Sequence, residues 1–271
     1  MEDVSSYITF AIATAKEAGD ILMAHYGKMQ QLEWNKRTHF KTVVDDLSDR
    51  LIRARIHERY PEHSIFSEEA EGFMGSSEYS WIVDPLDGTI QYRYGCSDHF
   101  GVCIALAHKN NPIVGVNYLP LRKELYVARE GQGATCNGAK IRALEEHNLN
   151  HALVGVDGGK ETSTFKRSAL GKIYERLYQP EGITCALSSG CASALLSLVA
   201  CGKLHAYLAL SLEPWDMAAS AVITSEAGAT VTTIDGRPWT IQEPSILVAH
   251  PSLHAPLLNL LQGGSNYTKY K

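Results

Sequence analysis

Trp81-Ile82-Val83-Asp84-Pro85-Leu86-Asp87-Gly88-Thr89 is an apolar run that ends in two acids and a turn. Trp81, Ile82 and Val83 read as a buried strand that delivers Asp84 at its end. Pro85 then fixes the chain direction, and Asp87-Gly88 turns it with a hydroxyl immediately behind. Because Pro85 lacks an N–H and Gly88 permits close backbone approach, one turn presents carboxylates, a carbonyl and amides together. Those are hard oxygen ligands for magnesium beside donors for phosphate. Asp-Pro and Asp-Gly are also ordinary turn dipeptides, so the run alone does not separate a site from a turn.

Acids recur where other apolar elements begin or end. Ser64-Ile65-Phe66 reads as a short strand that stops at Glu68-Glu69. Pro214-Trp215-Asp216 opens the apolar helix from Met217 to Ala227, where Asp216 reads either as a ligand or as a helix cap. Asp45-Asp46 starts a helix that buries Leu47, Leu51, Ile52 and Ile56 and stops at Tyr60-Pro61; Asp45 has the same two readings. Two carboxylates about 4 Å apart repel by about 4 kcal/mol at an effective dielectric of 20, so acids gathered in one place call for a cation.

The first helix is expected from Tyr7 to Tyr26, and Tyr79 to Arg129 reads as an antiparallel meander turned at Lys109-Asn110-Asn111-Pro112. From His151 the rhythm alternates: strand 152–156, helix 164–178, strand 183–187, helix 190–201, strand 204–210, helix 214–227 and two further strands. We expect an α+β half over residues 1–145 carrying most of the acids and an α/β half over 146–271 carrying Asp216, in one body without a tether.

With 271 residues, 45% of them hydrophobic and 20% charged, the chain can bury a core. Its net charge of −5 and scattered lysines and arginines argue against a nucleic acid polymer as partner, although a small phosphorylated molecule can be held through metal. The acidic start Met1-Glu2-Asp3 lacks a secretory pattern, and the apolar stretch from Cys191 to Cys201 is too short for a bilayer, so a cytoplasmic, membrane-free protein is expected. Six cysteines without a C-x-x-C pair read as reduced, mostly buried thiols.

Taken together, Glu68-Glu69, Trp81 to Thr89, Trp215-Asp216-x-Ala218-Ala219 and Glu226-Ala227-Gly228 resemble the inositol monophosphatase family. Gly131-x-Gly133-Ala134-x-Cys136-Asn137-Gly138 and Ser189-Gly190-Cys191-Ala192 extend the resemblance, which runs to about Leu261. It implies a layered α/β/α/β/α sandwich, a homodimer, lithium sensitivity and hydrolysis of an inositol monophosphate-like polyol or sugar phosphate by metal-activated water. It further implies two to three Mg2+ ions. Glu68, Asp84 and the Leu86 carbonyl hold one, Asp84, Asp87 and Asp216 a second, and Asp45 stands near a weaker third. Glu68, Thr89 and Asp45 handle the water and its proton, Gly88 and Thr89 take phosphate oxygens, and Asp87, Gly190, Cys191 and Ala192 meet the substrate.

The chain departs from the pattern at Thr89-Ile90-Gln91-Tyr92 and at His39-Phe40-Lys41-Thr42. Ala209 stands where animal members carry an acid for inositol hydroxyls; Glu213 is either a replacement contact or a solvated charge. Histidinol phosphate, 3'-phosphoadenosine nucleotides and fructose 1,6-bisphosphate are alternative substrates within the same metal core. A non-catalytic regulatory binding protein that keeps the fold is the alternative of another class.

Overall fold

Tyr7, Ala11, Ala15, Ala18 and Leu22 recur every three or four residues and are all buried, so one stripe of α1 (Val4–His25) faces the core. The structure, a computed structural model, describes residues 4–28, 32–36, 39–159 and 163–263. A hairpin of β1 (Leu32–Lys36) and β2 (His39–Thr42) follows and leads into α2 (Val43–Arg59), which lies against α1. The Thr42 hydroxyl accepts from Val44 N at 3.1 Å and so caps α2. The helix therefore starts at Val43, ahead of the expected Asp45-Asp46, and its buried face is Val44, Asp45, Ser48, Asp49, Ile52 and Ile56. Leu47, expected in the core, is exposed and Leu51 is only partly covered, because the face turned to α1 and the sheet takes the small polar Ser48 and Asp49.

The first sheet comprises β3 (Ser64–Ser67), β4 (Tyr79–Asp87), then, after α3 (Thr89–Tyr94), β5 (Gly101–His108), β6 (Asn111–Leu119), β7 (Glu124–Arg129), β8 (Gly133–Cys136) and β9 (Ala139–Lys140). Its seven strands lie in sequence order, with β3 parallel to β4 and every later pair antiparallel. The meander is as expected, but the turn after β5 is made by Lys109 and Asn110, both at positive φ, while Asn111 and Pro112 already belong to β6. Strand β4 also runs on past Asp84 to Asp87, because the pairing with β5 skips between these two residues; Pro85, which has no N–H to give, sits in that irregularity. Trp81 anchors β4 in the core at zero exposure and donates from Nε1 to His63 Nδ1 at 3.1 Å.

The second sheet is built from β10 (Leu153–Asp157), α4 (Thr164–Leu177), β11 (Cys185–Leu187), α5 (Ala192–Ala200), β12 (Ala206–Ala209), α6 (Pro214–Glu226), β13 (Thr230–Thr232), β14 (Ile246–Ala249) and α7 (Pro251–Gln262). Its order is β11-β10-β12-β14-β13, with β10 parallel to β11 and β12. Helices α4 and α7 pack on one face through Ile173, Leu253 and Leu257, and α5 packs on the other through Leu195 and Val199. Helix α6 lies beside α5 and against the first sheet, where Ala218 and Ala219 meet Ile82 and Ala105. The layers therefore run α1/α2, seven-stranded sheet, α5/α6, five-stranded sheet, α4/α7, the expected α/β/α/β/α sandwich. Gly115 on β6 permits the close seating of α6, since a Cβ there would fall 2.2 Å from the Ala219 carbonyl oxygen.

Candidate active site

Two aspartates reach the site by the same local device. Asp45 occupies the third position of α2, where Oδ2 accepts from Thr42 N at 2.8 Å and Thr42 Oγ1 at 2.6 Å. Asp216 occupies the third position of α6, and its Oδ2 accepts from Glu213 N at 2.8 Å. In both, the carboxylate closes the helix start, which leaves an acid held rigidly at the positive end of the helix.

Strand β4 supplies the next acids. Asp84, buried, accepts from Leu86 N through Oδ1 at 3.0 Å, so the chain folds back on its own carboxylate around Pro85. Ser48 Oγ on α2 donates to the Pro85 carbonyl at 2.9 Å and ties that turn to the helix. Asp87, also buried, accepts through Oδ2 from Ser193 N at 2.7 Å and from the Cys191 thiol at 3.2 Å. Burial, and then the charge of Asp87, holds that thiol well above its ordinary range, so it stays protonated and donates.

One group of metal-capable side chains exists among the described residues: Glu68, just after β3, Asp84 and Asp216, each of which offers one carboxylate oxygen within 4.8 Å of those of the other two. Asp87 is next to this group along β4 but turns one oxygen to the start of α5. The donor set is all carboxylate, without imidazole or thiolate, which suits magnesium better than zinc or copper. Three acids of one sign, two of them buried, also make a site that a divalent cation stabilises.

Thr89 follows Gly88, the turn residue at φ 83°, where a Cβ would sit 2.5 Å from the His99 carbonyl oxygen; glycine is required there. Thr89 Oγ1 lies 3.3 Å from Asp45 Oδ1 and 3.2 Å from the Leu86 carbonyl, and either accepts its proton. Burial foremost, with a smaller contribution from Glu68, raises Asp45 to a pKa of about 6 despite the Thr42 hydrogen bonds that pull it down.

Of the residues singled out in the sequence, Glu68, Asp84 and Asp216 converge, Asp87 follows Asp84 by three residues on β4, and Asp45 shares the Thr89 hydroxyl with the Leu86 carbonyl. Glu69 lies 3.8 Å from Lys41 Nζ. Glu213 is exposed at the N-cap of α6, and Ala209 is buried at the end of β12. Gly190, Cys191 and Ala192 form the turn and first residue of α5. Sequence reasoning missed Ser193 N–H, Gln91, whose Nε2 donates to the Ser189 carbonyl, and Asp157. Asp157 carried a signal, since it ends an apolar strand as Asp84 was expected to. The cysteines are all free as expected, but only Cys103 and Cys191 are buried; Cys96 is exposed and the other three are partly covered. No described helix is long and apolar enough to cross a membrane.

Residues 3–265 match the model of the inositol monophosphatase family. A protein of Aquifex aeolicus named fructose-1,6-bisphosphatase/inositol-1-monophosphatase is 31% identical over 262 residues, covering 96% of this chain and 97% of the relative. Nus factor SuhB of Xylella fastidiosa is 32% identical over 231 residues, 84% of this chain and 82% of that protein. The solved inositol monophosphatase of Anabaena (Nostoc) superposes with a TM-score of 0.80 at 28% identity, over 96% of each chain.

Proposed function

The chain belongs to the inositol monophosphatase family, and from that premise we propose that it is a magnesium-dependent phosphomonoesterase acting on a small phosphorylated polyol or sugar. The observation that carries the reading is the convergence of Glu68, Asp84 and Asp216 from two sheets' worth of structure. These three, with Asp87 and the Leu86 carbonyl, are the residues that would hold metal. Bound there, magnesium supplies charge neutralisation at the phosphoryl group and acidifies water. The Gly88 and Thr89 amides bind phosphate oxygens at the β4–α3 turn. Thr89 Oγ1 takes a proton from the attacking water and hands its own to Asp45 Oδ1, 3.3 Å away, which can accept near neutral pH because its pKa is about 6. Gly190, Cys191 and Ala192 border the leaving group.

Phosphate release from inositol, sugar, histidinol and nucleotide phosphates, with magnesium and with chelator, tests the proposal. Activity should vanish with chelator and return with magnesium, and Thr89→Ala should lower turnover on the order of 100-fold. Full activity after exhaustive chelation defeats the metal-dependent mechanism. The homodimer and lithium sensitivity belong to the same reading; chromatographic mass and inhibition by lithium check them. The name Nus factor SuhB, borne by the Xylella relative, favours a second reading, a regulatory binding protein that keeps the fold. Magnesium binding without phosphate release from any substrate of the panel would select it.

A further inference from the structure

Asp157 ends β10 beside the candidate site, and the mechanism above makes no use of it. It is 5% exposed, and burial pushes its carboxyl up in pKa against the donors that surround it. Oδ1 accepts from Ser188 Oγ at 3.0 Å and from Gly190 N at 3.2 Å, and Oδ2 accepts from the Tyr207 hydroxyl at 3.0 Å. A buried carboxylate is costly to desolvate, and here the cost is offset by three donors converging on it. Directly across the parallel ladder, the same position of β12 is filled by Ala209, so strand pairing alone does not demand an acid at this level.

The donors on Oδ1 belong to the segment that holds Asp87. Ser188 and Gly190 immediately precede Cys191, whose thiol donates to Asp87 Oδ2, and Ser193, whose N–H donates to the same oxygen. Within the segment, Ser189 Oγ accepts from Cys191 N at 3.2 Å, and from the other side Gln91 Nε2 on α3 donates to the Ser189 carbonyl. The turn is thus held between β10 and α3, with the Asp157 carboxylate as the acceptor on the β10 side.

We propose that Asp157 is a positioning residue for the phosphatase site: by fixing the Ser188–Gly190 turn it aims the Cys191 thiol and the Ser193 N–H at Asp87 Oδ2 and so sets the direction of the Asp87 carboxylate. The inference rests on the reading of Asp87 as a magnesium ligand. A group that orients a ligand through its hydrogen-bond partners commonly changes metal affinity by about 10-fold to 100-fold when removed.

The experiment is calorimetric titration of the chelator-stripped protein with magnesium in wild type, Asp157→Ala, Asp87→Asn and the double variant. Asp157→Ala should weaken magnesium about 10-fold, and in the Asp87→Asn background it should cost nothing further, since it acts through Asp87. Asp157→Asn, whose Oδ1 still accepts from Ser188 and Gly190, should recover most of the affinity. In the metal-free protein the Ser193 amide proton resonance should move in Asp157→Ala and stay in Asp157→Asn. Unchanged affinity in Asp157→Ala, or an equal loss in the Asp87→Asn background, overturns the proposal while leaving the metal site intact. Wild-type affinity in Asp87→Asn instead removes Asp87 as a ligand, and the proposal falls with that reading. Should Asp157→Ala fail to fold, Ser188→Ala enters the same cycle, with a several-fold loss expected in the Asp87 background and none in Asp87→Asn; an unaltered affinity there counts against the proposal in the same way.

Discussion

Asp45 presented a choice in the sequence between helix cap and functional acid, and its two carboxylate oxygens have different partners. Oδ2 closes the start of α2 on Thr42, while Oδ1 receives Thr89 Oγ1. Asp216 shares the first half of this arrangement at α6. A motif read residue by residue cannot show that one side chain has both partners, because the second lies 44 positions away. The arrangement has a measurable cost in the metal-free protein. The folded pKa of Asp45, about 6, exceeds its ordinary 3.8, so the folded chain holds a proton that the unfolded chain releases in this interval. That stabilisation is complete below about pH 4 and is lost as pH rises through 6. Asp45→Asn has no proton to lose. In urea unfolding with chelator present, its stability relative to wild type should therefore rise between pH 4 and pH 7 by about 2 kcal/mol, most of the 1.36 kcal/mol for each of the roughly two pKa units. A flat difference across that range would show that Asp45 is ionised in the fold.

Long periodic elements were legible before the structure: α1, the meander of β4 to β7 and the alternation from β10 to α6 follow from the spacing of their apolar residues, whereas α2 was found as a helix but with Leu47 and Leu51 assigned to a face that instead buries Ser48 and Asp49. What escaped was short or punctuated. Helix α3 has six residues, too few for a period to declare itself, and the β1–β2 hairpin has strands of five and four. Helix α7 carries Pro256 inside, which reads as a breaker, yet Leu253, Leu257 and Leu261 are buried at helical spacing and outweigh the lost hydrogen bond. Strand β4 ran past its expected end for the converse reason, since Pro85 is tolerated at an irregularity in the pairing. The seating of α6 on β6 was not legible either, because Gly115 and Ala219 are small residues without a pattern. It can be tested as an element. Gly115→Ala places a Cβ 2.2 Å from the Ala219 carbonyl oxygen, so α6 must lift or β6 must shift. We expect a loss of about 1–3 kcal/mol in thermal or urea unfolding. Magnesium affinity should fall as well, because Asp216 rides on α6. Stability lost with magnesium binding intact would mean that the strand yields and the helix stays.

Across the whole molecule, the candidate ligands connect parts that fold around different sheets. Glu68 and Asp84 belong to the seven-stranded sheet, and Asp216 enters on α6, between the two sheets and after the whole of β10 to β12. The connection already has a polar pin, since buried Asn117 on β6 donates to Ser197 Oγ on α5 at 3.3 Å and to Ser220 Oγ on α6 at 2.8 Å. A cation bound at the acidic cluster would add a second connection, one present only in the folded state because no unfolded chain brings oxygens of three carboxylates within 4.8 Å. Magnesium should accordingly behave as a ligand of the native state as a whole. At 100 times its dissociation constant it adds about 2.7 kcal/mol, which for a chain of this length raises the melting temperature by roughly 5 °C in one transition. The increment depends on Asp216 being a ligand and not merely the residue that closes the start of α6. Asp216→Asn retains an oxygen for Glu213 N and should keep the helix start. Scanning calorimetry of this variant should then show a metal-free melting temperature close to that of wild type and little upward shift with magnesium at the wild-type concentration. An equal shift in both proteins would place the cation elsewhere, whereas a low melting temperature without metal would return Asp216 to the cap reading that the sequence also allowed.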